Sequence, residues 1–312
     1  MKQIFEKINK ANRIALFTHC NADLDAYGSV GAIYHFLKGI DKNVNIFLCD
    51  PVDNKFDMLN LNDIKYEQED NFDLAIALDC ASLDRIEKFV PMFKNTPNIL
   101  IDHHKNKTVF YDYGVVDSES PSTCELVYKF FKQNNIKITA DMANCLYMGI
   151  MGDTGCLMHD NTNKDTYLIV SDLVEHGCDR VKIKQNILNN HKLNEVKVYV
   201  PIINNLEIFE NIAFTKLTIK DKKNLKINEN IETSDVLNLI LSIENVNISI
   251  IFKQAGKNTW KISMRSKKGI DISQICISYG GGGHAQAAGF TYTGNLSNLK
   301  NDLIKELQFL RK

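Results

Sequence analysis

The sequence predicts an α/β protein in which a doubly wound, mostly parallel sheet forms the N-terminal domain and a smaller α+β domain follows. Short apolar runs bounded by polar turns alternate with helical patterns in the first part of the chain, as in strand–helix–strand units. After about residue 195 the pattern changes to alternating runs that are typical of half-buried strands. The 312 residues are enough for two domains, each with its own core.

Four runs in the N-terminal part are predicted to be buried strands, because they are short, apolar and bounded by polar turns. They span residues 13–18, 44–49, 73–79 and 98–102. Between the first two runs, apolar residues recur at helical spacing, and Gly28 and Gly31 are small enough for this helix to pack closely on a sheet. Further helices are predicted at residues 120–135, 139–152 and 162–176.

The C-terminal part is predicted to combine strands with separate helices. The strands are expected at residues 212–219, 248–254 and 259–266, and the helices at residues 233–243, 271–278 and 296–310. We expect the first domain to span residues 1–190, a linker to span 191–205 and the second domain to span 206–312.

Composition and charge argue against several classes of function. A formal net charge of −1 gives no basic field for the capture of duplex DNA or a membrane surface. No apolar stretch approaches the length of a signal peptide or a membrane span. The 8 cysteines form no C-x-x-C pair, which argues against a structural zinc site. We expect a cytoplasmic protein that binds neither duplex DNA nor a membrane.

Acidic and histidine side chains follow three predicted strands and one predicted helix, where ligands bind in open α/β sheets. They are His19, Asp23, Asp25, Asp79, Asp102, His103, His104 and Asp153. Each alone has an ordinary structural explanation, such as a helix N-cap. Four aspartates brought together, however, would repel one another without cations. The pattern therefore predicts a site for two divalent metal ions, and carboxylate and imidazole ligands without thiolates favour Mn²⁺.

Six segments resemble the motifs of a known family. "THCNADLDAYGS", "ALDCAS", "IDHH" and "GIMGDTG" resemble, in order and spacing, the four motifs of the DHH phosphoesterases. "MRSKKGIDIS" and "YGGGGHAQAAGF" resemble the DHHA1 domain with its Gly-Gly-Gly-His signature. The resemblance covers nearly the whole chain, and the layout is most similar to the nano-RNases, which also act as 3′-phosphoadenosine-5′-phosphate (pAp) phosphatases. It implies a DHH catalytic domain followed by a DHHA1 substrate-binding domain.

The resemblance also implies the metal ligands. One ion would be held by His19, Asp23 and Asp79, and the other by Asp25, Asp79, His103 and Asp153, with Asp79 bridging the two. The first motif departs from the family pattern, because Ala22 stands in place of proline and Leu24 in place of glycine. Both carboxylates keep their spacing, so we expect metal binding to be preserved and only the local turn to differ.

The expected chemistry is two-metal activation of a bridging water, which attacks phosphorus in line. Successive side chains alternate along an extended chain, so His104 is expected to point away from His103, toward the substrate or the leaving group. Asp102 is expected to orient an imidazole by hydrogen bonding. With Asp79, these two residues form the predicted catalytic set.

The second domain is expected to bind the substrate. Gly281, Gly282 and Gly283 would let backbone N–H groups approach a phosphate, although a flexible glycine turn is the simpler explanation of such a run. The neighbouring His284 and the upstream Arg265 and Ser266 favour phosphate binding. Without an extended basic and aromatic track, we expect short single-stranded RNA or small nucleotides as partners, and a homodimer as the default assembly.

Other functions fit parts of the pattern. A phosphodiesterase for cyclic or linear dinucleotides would use the same residues, and the sequence separates it poorly from a nano-RNase. A manganese pyrophosphatase should lack the "GGGH" segment, and a RecJ-like nuclease would need further domains. A non-catalytic nucleotide sensor should have lost one or more metal ligands, whereas all six expected positions are filled here.

Overall fold

The computed structural model, which describes residues 1–104, 108–185, 191–227, 231 and 233–309, divides into two units. The first unit is Met1–Asn190 and the second is His191–Lys312. Residues 190 and 312, at which the predicted domains end, and residue 310, at which the last predicted helix ends, lie outside the described residues. Each unit has its own sheet and its own cores.

The sheet of the first unit is parallel throughout, which confirms the predicted fold class. Its strands are β1 (Arg13–Phe17), β2 (Asn43–Phe47), β3 (Ile64–Lys65), β4 (Leu74–Leu78), β5 (Asn98–Asp102) and β6 (Tyr113–Val116). They lie in the order β3-β2-β1-β4-β5-β6. β3 and β6 were not predicted, because the first has only 2 residues and the second carries no fully buried residue.

Helices cover both faces of this sheet. They are α1 (Lys2–Lys10), α2 (Leu24–Gly39), α3 (Val90–Asn95), α4 (Thr123–Gln133), α5 (Ala140–Asp153), α6 (Lys164–Glu175) and α7 (Arg180–Ile183), with 3₁₀ helices at Asn54–Leu59 and Leu83–Phe89. Side chains alternate along β1, so Ile14 and Leu16 enter the core on one face, while Phe17 packs with Phe89 and Phe93 on the other. Burial of both faces makes the strands continuous apolar runs.

The second unit is a mixed α+β structure, as predicted. Its strands are β7 (Glu207–Phe209), β8 (Ile212–Leu217), β9 (Ile248–Gln254), β10 (Thr259–Ser266), β11 (Gly282–His284) and β12 (Ala287–Thr293). The order is β11-β12-β10-β9-β8-β7, and β8 with β9 is the parallel pair in a sheet that is otherwise antiparallel.

The helices of the second unit pack on both faces of its sheet. They are α8 (Leu193–Lys197), α9 (Tyr199–Asn204), α10 (Ile219–Asn224), α11 (Ser234–Leu241), α12 (Ser273–Ser278) and α13 (Leu296–Phe309). Leu299 and Leu303 of α13 fill one core, and Val236 and Ile240 of α11 fill the other. The predicted linker is therefore helical over much of its length. No helix among the described residues is long and apolar enough to span a membrane.

Candidate metal centre and substrate residues

The carboxyl ends of three neighbouring strands bring the predicted ligands together. Because β1, β4 and β5 are adjacent and parallel, the residues that follow them meet at one edge of the sheet. His19 Nε2 lies 3.6 Å from Asp79 Oδ2, and His103 Nε2 lies 3.6 Å from Asp79 Oδ1. The two oxygens of one carboxylate thus face two different histidines.

Asp79 is held in this position by its backbone and by a hydroxyl group. It lies directly after β4 with a φ of 59°, in the left-handed region that Asp adopts more readily than most residues. Its N–H donates to the Ile101 carbonyl at 3.0 Å, and Thr123 Oγ1 donates to Asp79 Oδ1 at 2.9 Å. The carboxylate is therefore buried and held by groups of the protein itself.

Asp23 is both a helix N-cap and a potential metal ligand, the two roles that its position in the sequence allowed. Its Oδ1 caps α2, accepting from the N–H groups of Asp25 and Ala26 at 3.0 Å each. Its Oδ2 lies 3.9 Å from His19 Nε2. Ligand atoms of His19, Asp23 and Asp79 all lie within 4.8 Å of one another, so a helix cap and a potential metal ligand are the same residue.

Asp25, His103 and Asp153 form a second group with ligand atoms within 4.8 Å of one another. His103 Nε2 lies 3.1 Å from Asp153 Oδ2 and 4.0 Å from Asp25 Oδ2. Asp25 is fully buried, and its carboxylate accepts from the N–H groups of Thr123 at 2.7 Å and Cys124 at 3.0 Å. The N-terminus of α4 therefore stabilises this charge with backbone donors and the helix dipole.

Burial and the nearby charges shift the pKa values of the acidic and histidine side chains in the cluster. Burial raises the pKa of Asp25 well above its ordinary value, and the charges of Asp79 and Asp153 raise it further. Burial lowers the pKa of His103, but the hydrogen bond to Asp153 and the nearby carboxylates outweigh this and raise it to about 10. Burial raises the pKa of Asp79, but the close approach of His19 and the charges of His103 and His104 outweigh this effect and lower the pKa.

The donor set fits divalent metal ions. Carboxylate oxygens and imidazole nitrogens provide every ligand atom of the two groups, and no thiolate takes part. Within the described ranges, the ion-pair partners of the four aspartates are histidines, and no lysine or arginine forms an ion pair with them. Such a set suits borderline-hard cations such as Mn²⁺.

His104 reaches the same carboxylate as His103, contrary to the alternation expected from the sequence. β5 ends at Asp102, so strand geometry does not extend to the two histidines. The ring centroids of His103 and His104 are 4.5 Å apart, and His104 Nδ1 lies 3.5 Å from Asp79 Oδ1. Asp102 Oδ1 is 2.9 Å from the same Nδ1, and this hydrogen bond raises the pKa of His104. Of the two imidazoles, Asp102 therefore orients His104.

The predicted substrate residues of the second unit are brought together only in part. Ala287 of β12 pairs with Arg265 of β10 on one side and His284 of β11 on the other. Residues directly opposite in antiparallel pairs point to the same face, so Arg265 and His284 share a face of the sheet. Ser266 is buried, and its Oγ donates to the Ile270 carbonyl at 2.7 Å. Its hydroxyl group therefore does not lie with the Arg265 side chain as a joint phosphate contact.

The glycine run has two kinds of position. A Cβ at Gly281 would lie 2.2 Å from the Gly289 carbonyl oxygen, and one at Gly283, whose φ is 137°, would lie 2.5 Å from the Ala287 carbonyl oxygen. These two glycines are required by strand packing. Gly282 faces open space, with no atom within 4 Å of its ideal Cβ position, and so leaves room for a ligand.

Sequence reasoning missed three residues that shape the site. Thr123 lies within the helix predicted at residues 120–135 and Gly149 within the segment "GIMGDTG", and neither was predicted as a site residue. Gly149 lets α5 pass Asp25, because a Cβ there would lie 2.8 Å from Asp25 Oδ1. Arg85, whose Nη2 lies 2.7 Å from His19 Nδ1, carried no periodic signal beyond its place six residues after Asp79.

Comparison with known proteins assigns both units. A family model described as the DHH family, N-terminal domain, matches residues 13–150. A second model, described as the DHHA1 domain, matches residues 211–309. Together the two models cover most of the chain, and they match in the order in which the motifs occur in the sequence.

Full-length similarity accompanies these matches. The chain is 27% identical to the probable bifunctional oligoribonuclease and PAP phosphatase NrnA of Streptococcus mutans, over 100% of this chain and 99% of that protein. It is 26% identical to the corresponding Mycoplasma genitalium protein, over 97% and 96% of the two chains. The fold matches that of an exopolyphosphatase-related protein from Bacteroides fragilis with a TM-score of 0.90 and 25% identity, over 100% of this chain and 97% of that one. The chain therefore belongs to the DHH/DHHA1 family of phosphoesterases, with the DHH domain in its first unit and the DHHA1 domain in its second.

Proposed function

We propose that this enzyme hydrolyses short oligoribonucleotides and removes the 3′-phosphate of pAp, using two divalent metal ions, most simply Mn²⁺. The observation that carries the proposal is the position of Asp79, whose two oxygens face His19 and His103 at 3.6 Å each. A carboxylate shared in this way suits a pair of cations. The names of the full-length relatives support the choice of substrates.

The ligands would fall into the two groups of the cluster. His19, Asp23 and Asp79 would hold one ion, and Asp25, His103 and Asp153 would hold the other. Asp79, whose Oδ1 lies 3.6 Å from His103 Nε2, would also be a ligand of the second ion. When bound, such ions supply an activated water and neutralise charge on the phosphoryl group. Thr123 and the N-terminus of α4 keep two of the carboxylates in place, which limits the reorganisation that binding requires.

His104 is the proposed proton donor to the leaving group. Its Nδ1 contacts Asp102, and 35% of its side chain is exposed, which supports a direct contact between this side chain and the substrate. The hydrogen bond to Asp102 raises the pKa of His104, which favours the protonated form that a proton donor needs. Asp102 then acts through His104 by fixing its orientation.

The DHHA1 domain is proposed to bind a phosphate or ribose group of the substrate away from the bond that is cleaved. Arg265 and His284 share one face of the sheet, and Gly282 leaves open space beside His284. Arginine forks bind phosphate oxygens through two parallel hydrogen bonds. The proposed division of labour is a catalytic domain over residues 1–190 and a substrate-binding domain over residues 206–312.

The test measures hydrolysis of pAp, the dinucleotide pGpG, a cyclic dinucleotide, an RNA pentanucleotide and a long RNA with Mn²⁺. We expect turnover of pAp and the short linear substrates, with little on the long RNA. Asp79→Asn keeps the side-chain shape and the left-handed backbone but removes the charge, so kcat should fall more than about 100-fold.

The matched control is Asp41→Asn, an exposed aspartate that also has a left-handed backbone, with φ of 57°. It should retain wild-type activity. Failure of the wild-type protein to hydrolyse any of the substrates would contradict the proposed function. Near-normal activity of Asp79→Asn would contradict the shared-carboxylate arrangement. A preference for the cyclic dinucleotide would favour the phosphodiesterase alternative.

A further inference from the structure

Arg85 is a cation beside the candidate metal centre and is not one of its potential ligands. It lies in the 3₁₀ helix Leu83–Phe89, and its carbonyl accepts from the Cys20 N–H at 2.8 Å. Its side chain turns toward the end of β1, where Nη2 lies 2.7 Å from His19 Nδ1 and 3.4 Å from the Cys20 carbonyl oxygen. The guanidinium group therefore lies against the ring whose Nε2 faces Asp79 and Asp23.

The hydrogen-bonding capacity of this guanidinium group is not fully used within the described part of the protein. Its Nε is buried and has no hydrogen-bond partner. In the part of the chain that the structure describes, no carboxylate lies within ion-pair distance of Arg85, whereas Arg13 pairs with Glu69 at 3.1 Å. An arginine has five N–H donors and no acceptor, and among the described residues the side-chain contacts of Arg85 are made through Nη2.

The contact with His19 is a poor substitute for an acceptor. The Cys20 carbonyl oxygen lies 2.8 Å from the same Nδ1, and a carbonyl requires that this nitrogen carry a hydrogen. A nitrogen that donates to Cys20 cannot also accept from Arg85. One of the two short contacts is therefore unfavourable, and an oxygen acceptor supplied by a ligand would relieve it.

A phosphoryl group is the ligand whose chemistry fits. Arginine is well suited to phosphate, because its planar fork matches two oxygens and keeps its charge. The aspartates of the cluster form no ion pair with a lysine or arginine within the described residues, so Arg85 brings positive charge to this side of the centre. Charge that develops on phosphoryl oxygens is stabilised by such fixed cations.

We propose that Arg85 binds a non-bridging oxygen of the phosphoryl group that is cleaved. The inference rests on the proposed function, because it assigns a substrate contact within the same site. It predicts that the catalytic domain itself recognises phosphate through a side chain, in addition to the metal ions and to Arg265 and His284 of the other domain.

The test compares Arg85→Gln and Arg85→Lys with Lys88→Gln. Lys88 lies on the same 3₁₀ helix and pairs with Glu67 at 3.1 Å, away from the metal centre. Calorimetry measures the Kd of Mn²⁺ for the metal-free protein, and then the Kd of inorganic phosphate for the Mn²⁺-loaded protein. Steady-state kinetics give kcat and KM for pAp and for a dinucleotide.

We expect Arg85→Gln to weaken phosphate binding and to lower kcat/KM about tenfold or more, the loss typical of one charge-assisted hydrogen bond, with an unchanged Kd for Mn²⁺. Arg85→Lys should recover part of the loss, and Lys88→Gln should match wild type. Unchanged phosphate affinity in Arg85→Gln would overturn the inference. An equal loss of Mn²⁺ affinity would also overturn it, because Arg85 would then act by positioning His19. If the wild-type protein binds phosphate through Arg85 yet hydrolyses none of the substrates, only the proposed function fails.

Discussion

At the scale of single residues, the centre depends on side chains that perform two tasks with different atoms. Asp23 caps α2 through Oδ1 and faces His19 through Oδ2. Asp79 presents one oxygen to each of two histidines, and its left-handed backbone turns the carboxylate toward them. These arrangements place charge where water cannot balance it, so the titration of the cluster should report on metal binding.

Metal binding should release protons near neutral pH. The pKa of His103 is raised to about 10, so below that pH the metal-free ring carries a proton that a metal ion must displace. Affinity for Mn²⁺ should therefore rise with pH up to about 10 and fall in acid. Calorimetry in buffers with different ionisation enthalpies measures the number of protons released. His103→Asn should release fewer protons than wild type, and equal release from both would contradict the prediction.

At the scale of elements, two helices determine where Asp25 lies. The N-terminus of α4 supplies two N–H donors to its carboxylate. α5 passes so close to Asp25 that there is no room for a Cβ at position 149, which is a glycine. A Cβ at Gly149 would lie 2.3 Å from Cys124 Sγ, on the same N-terminal turn of α4. The packing of α2, α4 and α5 therefore defines one side of the candidate metal centre.

Gly149→Ala should disturb both stability and the centre. The added methyl group would force α5 away from Asp25 and Cys124, so we expect a loss of about 1–3 kcal/mol in the free energy of unfolding. Weaker Mn²⁺ binding should accompany it, because Asp25 would move. The matched control is Gly39→Ala, at the end of α2, where no atom lies within 4 Å of the added Cβ. Urea unfolding and calorimetry measure both effects, and equal behaviour of the two variants would argue against this packing role.

At the scale of the whole molecule, each unit has its own sheet and cores, and the acidic cluster lies in the first unit alone. Burial and mutual repulsion make that cluster costly when no cation balances it. The second unit has no comparable group of potential metal ligands among the described residues. Metal ions should therefore stabilise the first unit selectively.

Chelation should lower thermal stability, and Mn²⁺ should restore it. At a free concentration of 100 times Kd, one bound ion adds about 2.7 kcal/mol to the free energy of unfolding. Differential scanning calorimetry with EDTA and then with excess Mn²⁺ measures the shift in Tm. Asp79→Asn should lose most of the shift, while Asp41→Asn should keep it. A Tm that does not respond to chelation or to Mn²⁺ would contradict the two-metal centre.

Local sequence patterns were enough to predict the fold class. The spacing of apolar residues along a segment shows whether it forms a helix or a strand, and whether one or both faces of a strand are buried. β9 and β10 begin and end at the predicted residues, and so does β5. β12 was not predicted, because its glycine and alanine residues at the start follow a glycine run and resemble a loop. The same patterns pointed to the strand ends where His19, Asp79 and His103 now meet.

Only the tertiary structure decided how those residues are supported. The hydrogen bond from Thr123 to Asp79 joins residues far apart in the chain, and the contact between Arg85 and His19 does the same. The end of β5 at Asp102 decided that both histidines turn to Asp79. The physical reason is that periodicity reports which residues are buried, whereas the partner of a buried polar group depends on which elements pack together.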